Sequence, residues 1–127
     1  MEMYQNYICG EFRDSHSKKT FRSINPSTEQ PWAEIAEAQA KDVNDAVNAA
    51  HEAFHGKWSK FLPQQRGNIL RAIGDQLKGN AELLGTVETR DTGKMYKETK
   101  FQANYIAEFY YYYAGSVSYT HLRAHET

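Results

Sequence analysis

The chain has 127 residues, 40% hydrophobic and 24% charged, and its 15 Lys and Arg against 16 Asp and Glu leave a net charge of -1. That length holds one domain with a modest core, and the even charge balance excludes the basic face a nucleic-acid partner needs. A single cysteine permits no intrachain disulfide, no apolar run approaches bilayer length, and the N-terminus lacks a signal peptide's charged head and apolar body, so the composition reads as cytosolic and globular.

Tyr4 to Phe12 reads as extended: Tyr7, Ile8 and Phe12 favour strands and Gly10 supplies a turn. Phe21 to Ile24 is its expected partner strand, across the polar loop from Asp14 to Lys19. Asn25 to Gln30 is a turn, because Pro26 fixes its own φ and drives Asn25 out of the helical region. Pro31 to Glu37 follows as a short strand carrying Trp32 and Ile35.

Asp42 begins the first expected helix. Val43, Ala46, Val47, Ala50 and Phe54 form its apolar stripe, Asn44, Asn48, His51 and Glu52 stay outside, and Gly56 ends it. His51 and His55 have the spacing of a metal pair, but no carboxylate or third ligand converges on them, so they read as surface histidines. Pro63 suits the first turn of a second helix, with Arg66, Ile69, Leu70, Ile73 and Leu77 as its inner stripe. Gly74 weakens that helix by about 1 kcal/mol relative to alanine. Gly79-Asn80 breaks it, and Asn80 is the candidate cap of a third helix.

In the third helix Leu83, Leu84 and Val87 share one side while Glu88 and Arg90 stay wet. Gly93 stops it in the left-handed conformation, and Lys94 lies beside the carbonyl end of its dipole. The last helix runs from Tyr96 to Tyr113, with Phe101, Tyr105, Phe109, Tyr112 and Tyr113 at helical spacing. Such a cluster could stack nucleic-acid bases, but no arginines interleave it, so a packed amphipathic face is expected.

Several segments carry one resemblance, in order. Y-I-C-G-E-F … K-K-T-F-R-S-I-N-P resembles the opening Y-I-N-G-E-F … G-K-T-F-x-x-I-N-P of NAD(P)-dependent aldehyde dehydrogenases, with Cys9 where that family has asparagine. N-P-S-T-E-Q stands for the family's N-P-A-T-G-E, so Glu29-Gln30 replaces Gly-Glu. R-G-N-I-L-R-A-I-G-D-Q-L, N-A-E-L-L and Y-Y-A-G resemble further segments. E-T-R-D-T-G-K closely resembles E-T-L-D-T-G-K, with Arg90 in place of leucine. The match covers Tyr4 to Gly115. From Ser116 onward, S-V-S-Y-T-H-L-R-A-H-E-T looks like a translated sequencing adapter. His121 and His125 share the histidine spacing of H-E-x-x-H but lack its glutamate base, so no zinc role is assigned.

The resemblance implies an α/β parent fold with a Rossmann-type cofactor-binding domain, a catalytic domain and a strand-exchanging oligomerisation element. Residues 1–115 would be the N-terminal part of the cofactor-binding domain, a β-hairpin and short strands followed by three to four helices. Residues 116–127 would be a tail foreign to the family. The implied activity is oxidation of an aldehyde to a carboxylic acid with NAD or NADP through a cysteine thiohemiacetal. The implied parent is a cytoplasmic homodimer or homotetramer that meets neither membrane nor nucleic acid.

By the same resemblance the catalytic cysteine and glutamate lie downstream, so the fragment itself is expected to be inactive. Cys9 matches no nucleophile motif and no G-x-G-x-x-G loop occurs, so no catalytic or cofactor-binding residue is assigned. One site carries over: a structural K+ or Na+ held by backbone oxygens at Ser23, Ile24 and Asp91, a donor set that suits a hard cation. Asp91 accepting hydrogen bonds near its helix end is the equal alternative. A reading of another class is a small α+β binding or interaction module with an exposed aromatic helix face. The apolar stripes of the first and last helices need partner surfaces, so the chain alone is expected to leave apolar surface uncovered.

Overall fold

The structure, a computed structural model, describes residues 1–117. The chain forms two compact units, Met1–Lys60 and the residues from Phe61 onward. In the first unit, strands β1 (Glu2–Tyr4), β2 (Asn6–Ile8), β3 (Glu11–Arg13), β4 (Thr20–Asn25) and β5 (Gln30–Ala36) precede helix α1 (Ala40–His55) and a short 3-10 turn at Trp58–Lys60. Strand β5 is the centre of a mixed sheet, with β1 parallel on one side and β4 antiparallel on the other. Strands β2 and β3 form a separate antiparallel hairpin.

This corrects the expected pairing of Phe21–Ile24 with the Tyr4–Phe12 segment. The reason is local closure. The Cys9-Gly10 turn lets β2 and β3 satisfy each other, while the turn after Asn25 folds β4 directly back onto β5. In that turn the Asn25 carbonyl accepts the Glu29 N–H at 2.8 Å, and the Asn25 side chain accepts the Ser27 N–H at 2.9 Å.

Three non-glycine residues of the described chain have positive φ: Cys9 at 57°, Lys18 at 56° and Glu29 at 55°. Each stands where the resembling pattern has asparagine or glycine. Cys9 and Gly10, at 57° and 84°, meet the requirement of a type I′ hairpin turn for two left-handed residues. A Cβ in this region costs about 1–2 kcal/mol, which glycine avoids and asparagine partly offsets by local hydrogen bonding.

Helix α1 starts two residues before Asp42, which occupies its third position rather than its first. The Asp42 side chain is buried and accepts the Gln39 N–H at 2.8 Å, closing the first turn. That bond, followed by the contacts from His16, lowers the Asp42 carboxyl to about 2. The expected apolar stripe exists as a face, but Val43, Val47 and Phe54 are exposed, Phe54 at 64%. The core of this unit is small: Ile8, Ala33 and Ala36, with Ser15 and Asp42 as buried polar groups.

The second unit contains α2 (Pro63–Gly79), α3 (Ala81–Thr92) and α4 (Tyr96–Ser116). Pro63 opens α2 and the Gln65 side chain accepts the Leu62 N–H at 2.8 Å, as a capped start requires. Gly93 ends α3 with φ at 75°. Asn80 does not cap α3 as expected; its amide donates back to the Gln76 carbonyl at 2.8 Å and closes the end of α2 instead.

The buried face of α4 is made of Thr99, Ala103, Ala107 and Ala114, not of its aromatic residues. Phe101, Tyr105, Phe109, Tyr112 and Tyr113 are exposed, Tyr112 at 70%, which corrects the expectation of a packed aromatic face. On α2 the expected stripe is half-buried at Arg66, Ile69, Leu70 and Leu77 and exposed at Ile73, while the fully buried positions are Gly67 and Gly74; on α3 Ala81 and Gly85 are buried and Leu83 and Leu84 are exposed. The cause is distance. A Cβ on Gly67 would lie 2.8 Å from the Ala114 carbonyl oxygen, on Gly74 2.7 Å from the Tyr111 ring, and on Gly85 2.9 Å from the Lys100 backbone. At Gly67 and Gly85 the backbones themselves leave no room for a side chain, and at Gly74 the Tyr111 ring takes the space.

Three outcomes follow from these contacts. Cys9→Asn, Lys18→Gly and Glu29→Gly should each slow amide hydrogen exchange in the adjoining strands, by a local stabilisation of about 1 kcal/mol. Gly85→Ala should lower the urea midpoint of the helical dichroism, at a cost of about 1–3 kcal/mol, because the clash is with backbone. For Asp42 the folded value is depressed from 3.8 to about 2, so its contribution is complete above about pH 4 and is lost as pH falls toward 2. Asp42→Asn should flatten α1 amide protection across that window; an unchanged acid profile would count against the cap.

Candidate functional site

The residues expected to hold a cation fall on both units. Ser23 and Ile24 are adjacent on β4, and the register with β5 shifts between them, with Trp32 of β5 as the extra, unpaired residue. Bulges break the regular ladder and re-aim backbone groups. The Ser23 hydroxyl accepts the Trp32 indole N–H at 3.1 Å, and Ile24 is exposed. Asp91 is exposed in the last turn of α3, one turn where carbonyls lack helical partners. The structure therefore brings Ser23 and Ile24 together opposite one bulge and carries Asp91 on the second unit.

Cys9 is exposed at the tip of the β2–β3 hairpin. The buried glycines Gly67, Gly74 and Gly85 lie inside helices and are filled by Ala114, Tyr111 and Lys100, so none forms a cradle for a pyrophosphate. These residues do not fit a bound dinucleotide. His51 and His55 are both exposed with ring centroids 4.4 Å apart, and no cluster of three or more metal-ligating side chains occurs among the described residues. His121 and His125 lie outside the described residues. No helix among the described residues is long and apolar enough to cross a membrane.

An exposed aromatic face runs along α4. Phe101 stacks on Tyr105, whose ring meets Phe109 edge-on at 5.2 Å. Tyr105, Phe109, Tyr112 and Tyr113, with Glu108 and Tyr111 at one side, line an open groove of about 680 Å³. Beside it runs a polar bridge from α2 to α4 that sequence reasoning did not identify. The Tyr111 hydroxyl donates to Asp75 at 2.8 Å, and Lys78 pairs with Glu108 at 2.9 Å. The bond to Asp75 holds the Tyr111 hydroxyl above its ordinary range, and Glu108 does the same for the Lys78 ammonium. The signal was present as matched spacing, Asp75 and Lys78 on one helix and Glu108 and Tyr111 on the other, each three apart. Which helices pair is not written in either segment.

The aldehyde dehydrogenase family model matches residues 12–126, running past Gly115 into the segment expected to be foreign. A (Z)-2-((N-methylformamido)methylene)-5-hydroxybutyrolactone dehydrogenase of Acinetobacter baylyi is 44% identical over 116 residues, 91% of this chain and 23% of the relative. An acetaldehyde dehydrogenase of Pseudomonas aeruginosa is 37% identical over 90% of this chain and 22% of its own length. The chain thus spans about a quarter of the length of the relatives it matches. Among solved structures, an aldehyde dehydrogenase from Bacillus cereus superposes with a TM-score of 0.87 at 34% identity, over 91% of this chain and 24% of that one. A betaine aldehyde dehydrogenase from Staphylococcus aureus, solved with NAD+, gives 0.84 at 35% identity over 88% and 23%. With sequence and fold agreeing across nine-tenths of its residues, this α/β chain belongs to the aldehyde dehydrogenase family.

Proposed function

We propose that the chain serves NAD(P)-dependent oxidation of an aldehyde to a carboxylic acid, with residues 1–115 as the N-terminal part of the cofactor-binding domain. The observation that carries this reading is the joint match to dehydrogenases in sequence and to an NAD+-bound aldehyde dehydrogenase in fold. In the reaction class, a thiolate adds to the aldehyde, hydride passes to the nicotinamide, and water releases the acid. None of these roles is assigned to residues 1–127. The only cysteine is Cys9 on an exposed turn, and the buried glycines are occupied by packing. What the chain contributes in this reading is scaffold: a bulged sheet, a hairpin and a helical layer. A cytoplasmic homodimer or homotetramer, and a K+ or Na+ held at Ser23, Ile24 and Asp91, belong to the same proposal. The donor set, backbone carbonyls with one carboxylate, suits a hard cation and is what supports this part of the proposal.

A second reading is favoured by one observation, the exposed aromatic face of α4. An independent α+β module could bind a partner there.

The test is a chimera in which residues 1–115 replace the matching part of the Acinetobacter dehydrogenase. Aldehyde-dependent reduction of NAD+ or NADP+ is expected from the chimera, and none above a buffer control from residues 1–127 alone. A folded chimera without turnover would count against the family function. In the same chimera, Asp91→Ala should remove any rise in melting temperature on adding potassium or sodium chloride; equal shifts in both proteins would sink the cation site. A sharp melt from a monodisperse monomer of the chain alone would favour the module.

A further inference from the structure

We propose that His51 and His55 are the protein ligands of a transition-metal dication, of the Ni2+ and Cu2+ class, that clamps the last turn of α1. Both side chains are exposed on α1, which ends at His55. Residues four apart on a helix stand one above the other on the same face. Here the two imidazoles lie with ring centroids 4.4 Å apart and planes tilted by 57°. Neither ring enters a hydrogen bond or ion pair with the described residues, so their nitrogens are open to solvent.

That separation selects a coordination geometry. A ring nitrogen binds such an ion at about 2.0–2.1 Å, which puts the ring centroid about 3.2 Å from the metal. Two rings at a right angle on one ion then have centroids about 4.5 Å apart, and two at the tetrahedral angle about 5.2 Å. The observed 4.4 Å matches the right angle, the arrangement of tetragonal Ni2+ and Cu2+ rather than tetrahedral zinc. Water fills the remaining positions of the ion.

The helix end is built to hold the pair. The Gly56 N–H donates to the Glu52 carbonyl at 2.8 Å, and the Ser59 hydroxyl reaches the carbonyls of His55 and Gly56 at 3.2 and 2.7 Å. These bonds fix the backbone that carries His55. The Phe54 ring meets the His55 ring edge-on at 5.0 Å and restricts its rotation. His55 also stands at the negative end of the α1 dipole, where a cation is favoured. An ion that joins positions one turn apart binds the helical form of α1 in preference to any other, and so stabilises it.

The test is a calorimetric Ni2+ titration of the whole 127-residue chain, with Cys9→Ser, His121→Gln and His125→Gln in every protein so that no thiol or second histidine pair competes. One-to-one binding is expected. His51→Gln and His55→Gln should each weaken it about tenfold or more, because the remaining ligand no longer closes a chelate. His51→Gln combined with Ala53→His keeps two histidines but sets them on opposite sides of the helix, and should lose as much. Saturating Ni2+ should slow amide exchange in the last two turns of α1 in the starting protein and not in that spacing variant. A smaller loss of affinity in any of the three, or no binding at the outset, overturns the proposal whether or not α1 is folded. Binding without slower exchange overturns the clamp.

Discussion

The second unit depends on how closely α4 approaches α2 and α3. Three glycines sit at the contacts, each where a single added carbon would fall within 3 Å of a neighbouring atom. Thr99, fully buried on α4, fills the same seam with hydrogen bonds. Its hydroxyl lies 2.9 Å from the Gly85 carbonyl and 3.0 Å from the Tyr96 carbonyl, and it pairs with the Thr89 hydroxyl at 2.9 Å. A buried hydroxyl without such partners would be costly, so the threonine both fills the seam and specifies it. The small residues take the fully buried contact, while Ile69, Leu70, Leu77 and Tyr111 are half-buried beside it and Ile73, Leu83 and Leu84 are exposed.

The same constraint explains why the chain carries so much exposed aromatic and aliphatic surface. A helix buries the face that meets a surface shaped for it, and amphipathic spacing alone does not supply that surface. On α1 the stripe of Val43, Val47 and Phe54 meets no cover in its unit, and on α4 the row from Phe101 to Tyr113 meets none in its own. Both stripes fit the proposed role, in which the chain is part of a larger α/β enzyme. The polar bridge of Asp75, Lys78, Glu108 and Tyr111 has the opposite logic. It spans α2 and α4 at an exposed edge, where surface ion pairs add little energy but fix which residues face each other.

In the first unit the turns carry the strain. Cys9, Lys18 and Glu29 adopt the left-handed conformation at places where the family pattern has residues that enter it more cheaply. The strands nevertheless keep the family's arrangement, so the surrounding pairing outweighs the local penalty at each turn. Asp42 adds the complementary device. It satisfies an orphan N–H of α1 and two donors of the loop before β4 with one carboxylate, tying strand region and helix together through hydrogen bonds in a unit whose apolar core is small.

The sequence by itself determined the elements and the family. Turn chemistry at Asn25-Pro26, Pro63 at a helix start and Gly93 at a helix end are local rules, written in the residues that obey them. The ordered motifs from Y-I-C-G to D-T-G-K located the family, because they recur as a set. Strand pairing was not legible, since β4 had two possible partners and a two-residue turn elsewhere decided between them. Of the candidate site, the bulge opposite Ser23 and Ile24 and the bonds around Asp42 emerged only from the fold. So did the fully buried positions of α2, α3 and α4, which are glycine, alanine and Thr99 rather than the aromatic row of α4. Periodicity reports which residues share a face of a helix; only the distance of approach between helices decides which face is buried, and that distance is a property of the folded chain.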